Sequence, residues 1–237
     1  MLDTIVLLAG KAEQPALGSA LCKQNPRLTV HAAETLADVM AIQSHVLPEA
    51  RLIAFVTPVV VPACVLNQLG YGAYNFHPGP PEYPGWAASQ FAVYHGARDF
   101  GATAHRMIER VDAGPIVAVE RFDISPDSTV GELEKLAFVN LAKIFWRLLA
   151  SLTQGEPLGE LPIRWSQRKN TRRHYAALCD IPLDISAAEL ERRIRAFGGN
   201  HFGVMPAINV HGRRFKFESD DVSAVQPPSE IEREHAA

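Results

Sequence analysis

The apolar positions of the chain alternate between two spacings, and each change of spacing predicts an element. Thr4 to Ala9 is an unbroken apolar run of strand length, and Gln14 to Lys23 carries small and apolar residues suited to a helix. Arg27 to Ala32 predicts a second strand and Thr35 to Ser44 a second helix; Leu52 to Val56 predicts a third strand, apolar enough for burial on both faces. Thr57-Pro58 breaks that strand. Pro62 suits the first turn of a short helix from Ala63 to Leu69, which Gly70 closes, and a buried strand from Tyr71 to Asn75 follows. Three strand-helix alternations predict a parallel sheet with right-handed crossovers.

The pattern then changes. Trp86 to His95 predicts a helix closed by Gly96, and the strands Ala102 to Ile108 and Ile116 to Phe122 lie too close in sequence for a crossover helix. That pair is predicted antiparallel, which makes the sheet mixed. Thr129 and Glu132 form a capping box, and Leu133, Leu136, Ala137, Leu141, Ile144, Phe145, Leu148, Leu149 and Leu152 follow at helical spacing, interrupted by Asn140. Gly155-Glu156-Pro157 ends this helix. Ser186 caps a further helix through Phe197, and Ala207 to Val210 pairs with Arg214 to Phe217 across His211-Gly212. The expected fold class is α/β: a Rossmann-like mixed, mostly parallel sheet with helices on both faces, plus a small C-terminal α+β appendage. The expected domains are 1–157, a truncated C-terminal subdomain 158–218, and a disordered acidic tail 219–237.

Length and composition fit one large domain with a modest addition, since 237 residues at 47% hydrophobic can bury a full core. Cys22, Cys64 and Cys179 are odd in number and widely spaced, as reduced thiols are. The N-terminus lacks the basic region and the length of a signal peptide or membrane span, so a cytoplasmic protein without a membrane partner is expected. The net charge of −3 is uneven: residues 1–162 carry 11 Lys/Arg against 16 Asp/Glu, and residues 163–218 carry 11 against 5. The basic segment either pairs with the acidic body or receives a phosphorylated ligand.

Candidate chemistry sits at the end of the fourth strand, where open α/β sheets bind ligands. There no Gly-x-Gly-x-x-Gly follows the first strand, so a dinucleotide fingerprint is absent. Instead Asn75-Phe76-His77-Pro78-Gly79-Pro80-Pro81-Glu82-Tyr83-Pro84-Gly85 holds four prolines and two glycines. Asn75 and His77 share parity on an extended chain, which puts an amide and an imidazole on one side. Alone, they read as ordinary loop residues. A second segment, Glu109-Arg110-Val111-Asp112-Ala113-Gly114-Pro115, puts a carboxylate on a tight turn; an Asp that reaches His77 would orient its ring. No Gly-x-Ser-x-Gly nucleophile motif is present. His77, His95 and His105 lack ligand spacing, so no metal is expected.

These residues resemble the 10-formyltetrahydrofolate-dependent formyltransferase family, which includes methionyl-tRNA, glycinamide ribonucleotide and sugar-nucleotide formyltransferases. The resemblance rests on Asn75-x-His77-Pro78, the Pro-rich loop ending in Tyr83-x-Gly85, Gly101-Ala-Thr-Ala-His105-Arg-Met, and Val111-Asp112-Ala-Gly-Pro-Ile. The loop is one residue shorter than the family's usual pattern and has Pro84 where Arg is common. The resemblance implies Asn75, His77 and Asp112 as catalytic residues and 10-formyltetrahydrofolate as formyl donor. It further implies a pterin site at Phe55, Val56, Thr57, Ile108 and Val111, with Tyr83 and Trp86 lining the mouth. His105 matches a family histidine and either shapes the substrate pocket or packs the core. The expected function is transfer of a formyl group to a primary amine, preferably an amino sugar linked to a nucleotide. The alternatives are a formyltetrahydrofolate hydrolase, a methionyl-tRNA formyltransferase-like enzyme and a non-catalytic folate-binding module. A nucleic-acid partner is disfavoured by the acidic chain, and a homodimer stays open.

Overall fold

Alternate residues of a strand face opposite sides of a sheet, and here both sides are apolar, so two cores form around one sheet. The computed structural model describes residues 1–199 and 202–218; the expected tail 219–237 lies outside the described residues. Strands β1 (Thr4–Ala9), β2 (Thr29–Ala33), β3 (Ala50–Phe55), β4 (Ala73–His77), β5 (Asp99–Arg106) and β6 (Ile116–Asp123) form one sheet in the order β2-β1-β3-β4-β5-β6. The first four are parallel, whereas β5 runs antiparallel to β4 and β6 antiparallel to β5. This is the mixed, mostly parallel α/β sheet expected.

Helices α1 (Gln14–Gln24) and α5 (Val130–Leu152) cover one face, where Ile5, Leu7, Ile53, Phe55, Tyr74 and Phe76 meet Leu21, Leu141 and Phe145. The intervening strand residues Val6, Leu8, Leu52 and Ala54 join Val39 of α2 (Leu36–Met40) and Val65 of α3 (Ala63–Leu66) on the other. The Thr129–Glu132 capping box that opens α5 is fully made. Its polar interruption is satisfied locally, because Asn140 Nδ2 donates to the Leu136 carbonyl at 2.8 Å.

Several elements differ from expectation, among them α3, which ends at Leu66, and β5, which spans Asp99–Arg106. Helix α2 stops at Met40, and Ile42 turns in to pack against the second core. Strand β4 runs on to His77, two residues beyond Asn75, because His77 pairs with Thr103 of β5. A helix not expected from the sequence, α6 (Arg172–Cys179), follows the basic stretch; the Thr171 hydroxyl accepts the His174 N–H in its first turn.

The chain divides into two compact units, Met1–Ala177 and a second beginning at Leu178. Segment 158–171, expected in the C-terminal subdomain, is hydrogen-bonded within the larger unit, to Ile116, Pro81 and Pro84 among others. In the second unit β7 (Asp180–Ile181), β8 (Ala207–Val210) and β9 (Arg213–Lys216) form a small sheet in that order. Helix α4 (Ala88–His95) follows the Pro-rich loop, and α7 (Ala187–Phe197) starts at Ser186, whose hydroxyl accepts the Glu189 N–H. Among the described residues no helix is long and apolar enough to cross a membrane.

Candidate active site

Strand parity decides which side chains of β4 are available. Tyr74 and Phe76 are buried in the α5 core, so Asn75 and His77 face the opposite side of the sheet. On β5, Ala102 and Ala104 enter the same core, so Thr103 and His105 stand beside Asn75 and His77 in direct register. The β5–β6 pairing shifts register between Ala104 and His105, an irregularity of the kind that re-aims side chains at sites.

The loop after β4 is fixed at both ends. Thr103 Oγ1 donates to the Gly79 carbonyl at 2.8 Å. A Cβ on Gly79 would lie 2.7 Å from both His77 Nε2 and the Ala88 Cβ, so the loop can pass this close to the imidazole only as glycine. At the far end Gly85 adopts φ +92°, and its N–H donates to Asp112 Oδ2 at 2.8 Å. Asp112 itself sits at φ +46°, a left-handed conformation that costs energy for a residue with a Cβ.

Asp112 is the hub of the cluster. Its Oδ2 is 3.4 Å from His77 Nδ1 and its Oδ1 is 3.2 Å from His105 Nε2. The other nitrogen of each ring donates to a backbone carbonyl: His77 Nε2 to Tyr83 at 3.1 Å and His105 Nδ1 to Arg106 at 2.9 Å. Both rings are thereby oriented, and the nitrogen that turns toward Asp112 is the one free to gain or lose a proton. Asn75 Nδ2 lies 3.2 Å from His105 Nε2, which completes a four-residue network. Water has little access, since His77, Asp112 and His105 are only 6%, 5% and 2% exposed. Burial pushes the Asp112 carboxyl up. The charge on His77, the hydrogen bond and charge of His105, and the Gly85 N–H outweigh it and hold the group well below the ordinary carboxylate range.

The structure thus brings Asn75, His77, His105 and Asp112 together. The remaining expected site residues are placed differently. The Phe55 ring is spent on the core, packed against Phe76, Phe138 and Phe145, which leaves only its backbone at the strand end. Val56 is exposed at φ +46°, and Thr57 Oγ1 accepts the Val59 N–H. Ile108 and Val111 are exposed on the loop that leads to Asp112. Tyr83 serves the cluster through its carbonyl, while its ring stacks on His95 and tilts against Phe100. The Trp86 ring packs edge-on against Tyr175 and beneath the Arg172 guanidinium. Both rings are directed to neighbours outside the cluster.

Sequence reasoning missed Trp165. Its indole stands 5.7 Å from the His77 ring and 5.0 Å from the His105 ring, edge-on to each, and its Nε1 donates to the Gly114 carbonyl at 2.8 Å. The available signal was one large aromatic inside a basic, polar stretch. Beside it, a cavity of about 660 Å³ opens between the 109–115 turn and segment 163–169, lined among others by Arg110, Asp112, Arg164, Trp165 and Lys169. Among the described residues no group of three or more His, Cys, Asp or Glu is arranged to hold a metal ion.

The model of the family described as formyl transferase matches residues 7–145. Methionyl-tRNA formyltransferase of Thermotoga neapolitana is 32% identical over 139 residues, covering 56% of this chain and 42% of that protein. The chain therefore spans less than half the length of that curated relative. Among solved structures, a sugar N-formyltransferase from a Shewanella species superposes with a TM-score of 0.74 at 16% identity, covering 92% of this chain and 98% of that one. The N-formyltransferase from Helicobacter canadensis, solved with folinic acid and dTDP-3-aminofucose, gives 0.62 at 13% identity, covering 90% and 85%. At such identities the structural likeness concerns the fold.

Proposed function

The chain belongs to the formyl transferase family, and on that footing we propose that it moves a formyl group from 10-formyltetrahydrofolate to a primary amine. The observation that carries this reading is the network of Asn75 with the buried His77, His105 and Asp112 at the end of β4, on the face of the sheet opposite α5. When bound, the folate supplies an activated one-carbon unit whose carbonyl oxygen gains negative charge as the amine adds. The residues available to hold it are Val56, Ile108 and Val111, three exposed apolar side chains on loops that leave β3 and β5, which suit a flat heterocycle.

The roles of the chain's own residues follow from the hydrogen bonds. His77 Nε2–H and the Asn75 amide are the donors for the developing oxyanion. In this structure His77 Nε2 is committed to the Tyr83 carbonyl, so it must exchange that acceptor for the formyl oxygen. Asp112, held as the anion between the two imidazoles, relays the proton the amine must lose, directly or through one water. The family resemblance and the basic rim of Arg110, Arg164 and Lys169 on the adjoining cavity support a nucleotide-linked amino sugar as acceptor. The identity to a methionyl-tRNA formyltransferase supports an aminoacyl-tRNA acceptor instead.

The test is to incubate the chain with 10-formyltetrahydrofolate and three acceptor sets: nucleotide-linked amino sugars, methionyl-tRNA, and no amine. Tetrahydrofolate release is followed by absorbance and formylated product by mass spectrometry. A formylated amine is the expected result and its identity selects the acceptor. Release without an amine would make the chain a hydrolase, and binding without release a folate-binding module.

A further inference from the structure

The four-residue network is closed by a segment outside the two motif loops. From 161 to 170 the chain forms a strap across both of them. Leu161 N–H donates to the Ile116 carbonyl at 2.7 Å, Ser166 N–H to Pro81 at 2.8 Å and Asn170 N–H to Pro84 at 2.9 Å. Trp86 N–H returns a bond to Asn170 at 3.1 Å, and Lys169 Nζ donates to the Val111 carbonyl at 3.2 Å. The strap therefore bonds the Pro-rich loop on one side and the Asp112 turn on the other. At its middle the Trp165 indole meets both imidazoles edge-on, and its Nε1 is anchored on Gly114.

We infer that Trp165 is a positioning residue that holds the planes of the His77 and His105 rings and keeps water from the reacting carbon, so that formyl transfer prevails over hydrolysis. The inference rests on the formyl-transfer reading above. Two nucleophiles compete at one carbon. In transfer the amine nitrogen bonds to the formyl carbon, the bond from that carbon to N10 breaks, the amine loses a proton and N10 gains one. In hydrolysis a water oxygen takes the amine's place, and the products are formate and tetrahydrofolate. Water is small and abundant, so its exclusion from the site favours the amine. On the 109–115 side the indole lines the adjoining cavity together with Asp112, Val111 and Pro84 among others, and it is the lining ring that meets both imidazoles.

The experiment compares wild type with Trp165→Phe, Trp165→Leu and Trp165→Ala by two readouts. The first is the ratio of formylated amine to formate. Trp165→Ala is expected to lower it by about 10²-fold, the scale of a small misplacement at a reacting centre, whereas Trp165→Phe stays within a few-fold of wild type. Trp165→Leu keeps apolar volume without a ring, and replaces Trp165→Ala should that variant fail to fold by circular dichroism. A folded Trp165→Ala or Trp165→Leu variant with the wild-type ratio overturns the inference. The second readout needs no turnover: solvent exchange of the His77 and His105 ring N–H protons in ¹⁵N-edited NMR, expected to accelerate in the variants without a ring. If wild type releases no tetrahydrofolate, the functional reading fails by itself, and unchanged N–H exchange still overturns the positioning role.

Discussion

Asp112 faces His77 at 3.4 Å from a turn whose backbone it strains, at φ +46°, in order to do so. Nothing in the local sequence of the turn demands that conformation. It is held by what the side chain reaches: an imidazole on each oxygen and the Gly85 N–H. Strain of this kind, of order 1–3 kcal/mol, persists where surrounding bonds over-determine it. The meeting of the two residues is thus a built feature of the fold.

Replacing His77 by Ala removes one oxyanion donor and one partner of Asp112. Turnover should fall by at least about 10²–10³, while folate affinity measured by calorimetry stays within a few-fold, because the apolar side chains assigned to the pterin lie on other loops. Asp112→Asn keeps the shape but loses the charge, and should cost about 10²–10⁴ in rate. Unchanged turnover in either variant would remove these residues from the proposed site.

The same carboxylate should shape the acid limb of the stability curve. Its folded-state pKa lies below the ordinary value, so between the two values the unfolded chain binds the extra proton and stability rises with pH. The contribution is present above the unfolded value, about pH 4, and is lost as pH falls through the folded one. Thermal denaturation followed from neutral pH down into that range should show a steeper fall of Tm for wild type than for Asp112→Asn. Parallel curves would mean that the carboxylate is not held in its charged form.

Much of this was legible in the chain. The β1 run, the Thr129–Glu132 box and the stripe on α5 are local signals that burial and backbone capping obey directly. The parity of Asn75 and His77 and the placement of Asp112 on a turn also followed from residue pattern, since strand alternation is geometric. What was not legible shares one cause. Tyr83 acts through a carbonyl, Gly85 through an N–H, and the strap is held largely by backbone bonds to Ile116, Pro81 and Pro84. Backbone groups are the same at every position, so such contacts leave no residue signature. The Tyr83 and Trp86 rings illustrate the converse: each has a residue type suited to a pocket, and tertiary packing directs each elsewhere.

Gly85 tests how far the site depends on such a backbone contact. At φ +92° any other residue is strained, and a Cβ would sit 2.3 Å from the Asn170 carbonyl oxygen, part of the strap. Gly85→Ala should therefore lose about 1–3 kcal/mol of stability and displace the N–H that anchors Asp112. Activity should fall by about 10² even below the temperature at which the variant unfolds. A folded variant with wild-type kcat/KM would show that the Gly85 bond does not hold the carboxylate in place.

A final expectation separates the scaffold from the site. Arg51 is completely buried in β3, where a strand buried on both faces would normally carry an apolar residue. Its guanidinium donates to the carbonyls of Tyr71 (3.0 Å), Ser151 and Leu152 (2.8 Å each) and Glu156 (2.8 Å). These oxygens end α5 and lead into β4, so one fork of donors satisfies the helix C-terminus and joins it to the sheet. Arg51→Leu would remove a donor from four carbonyls, the buried one of Leu152 among them, and gain only modest apolar burial, a net loss of about 1–3 kcal/mol. Arg51→Lys should recover little of it, because a single ammonium cannot reach four carbonyls in a plane. In urea both variants should lower the midpoint without changing the slope. Neither should change the rate measured under folding conditions, because the reacting groups sit at the other end of β4. A variant that keeps full stability would show that the carbonyls find other partners.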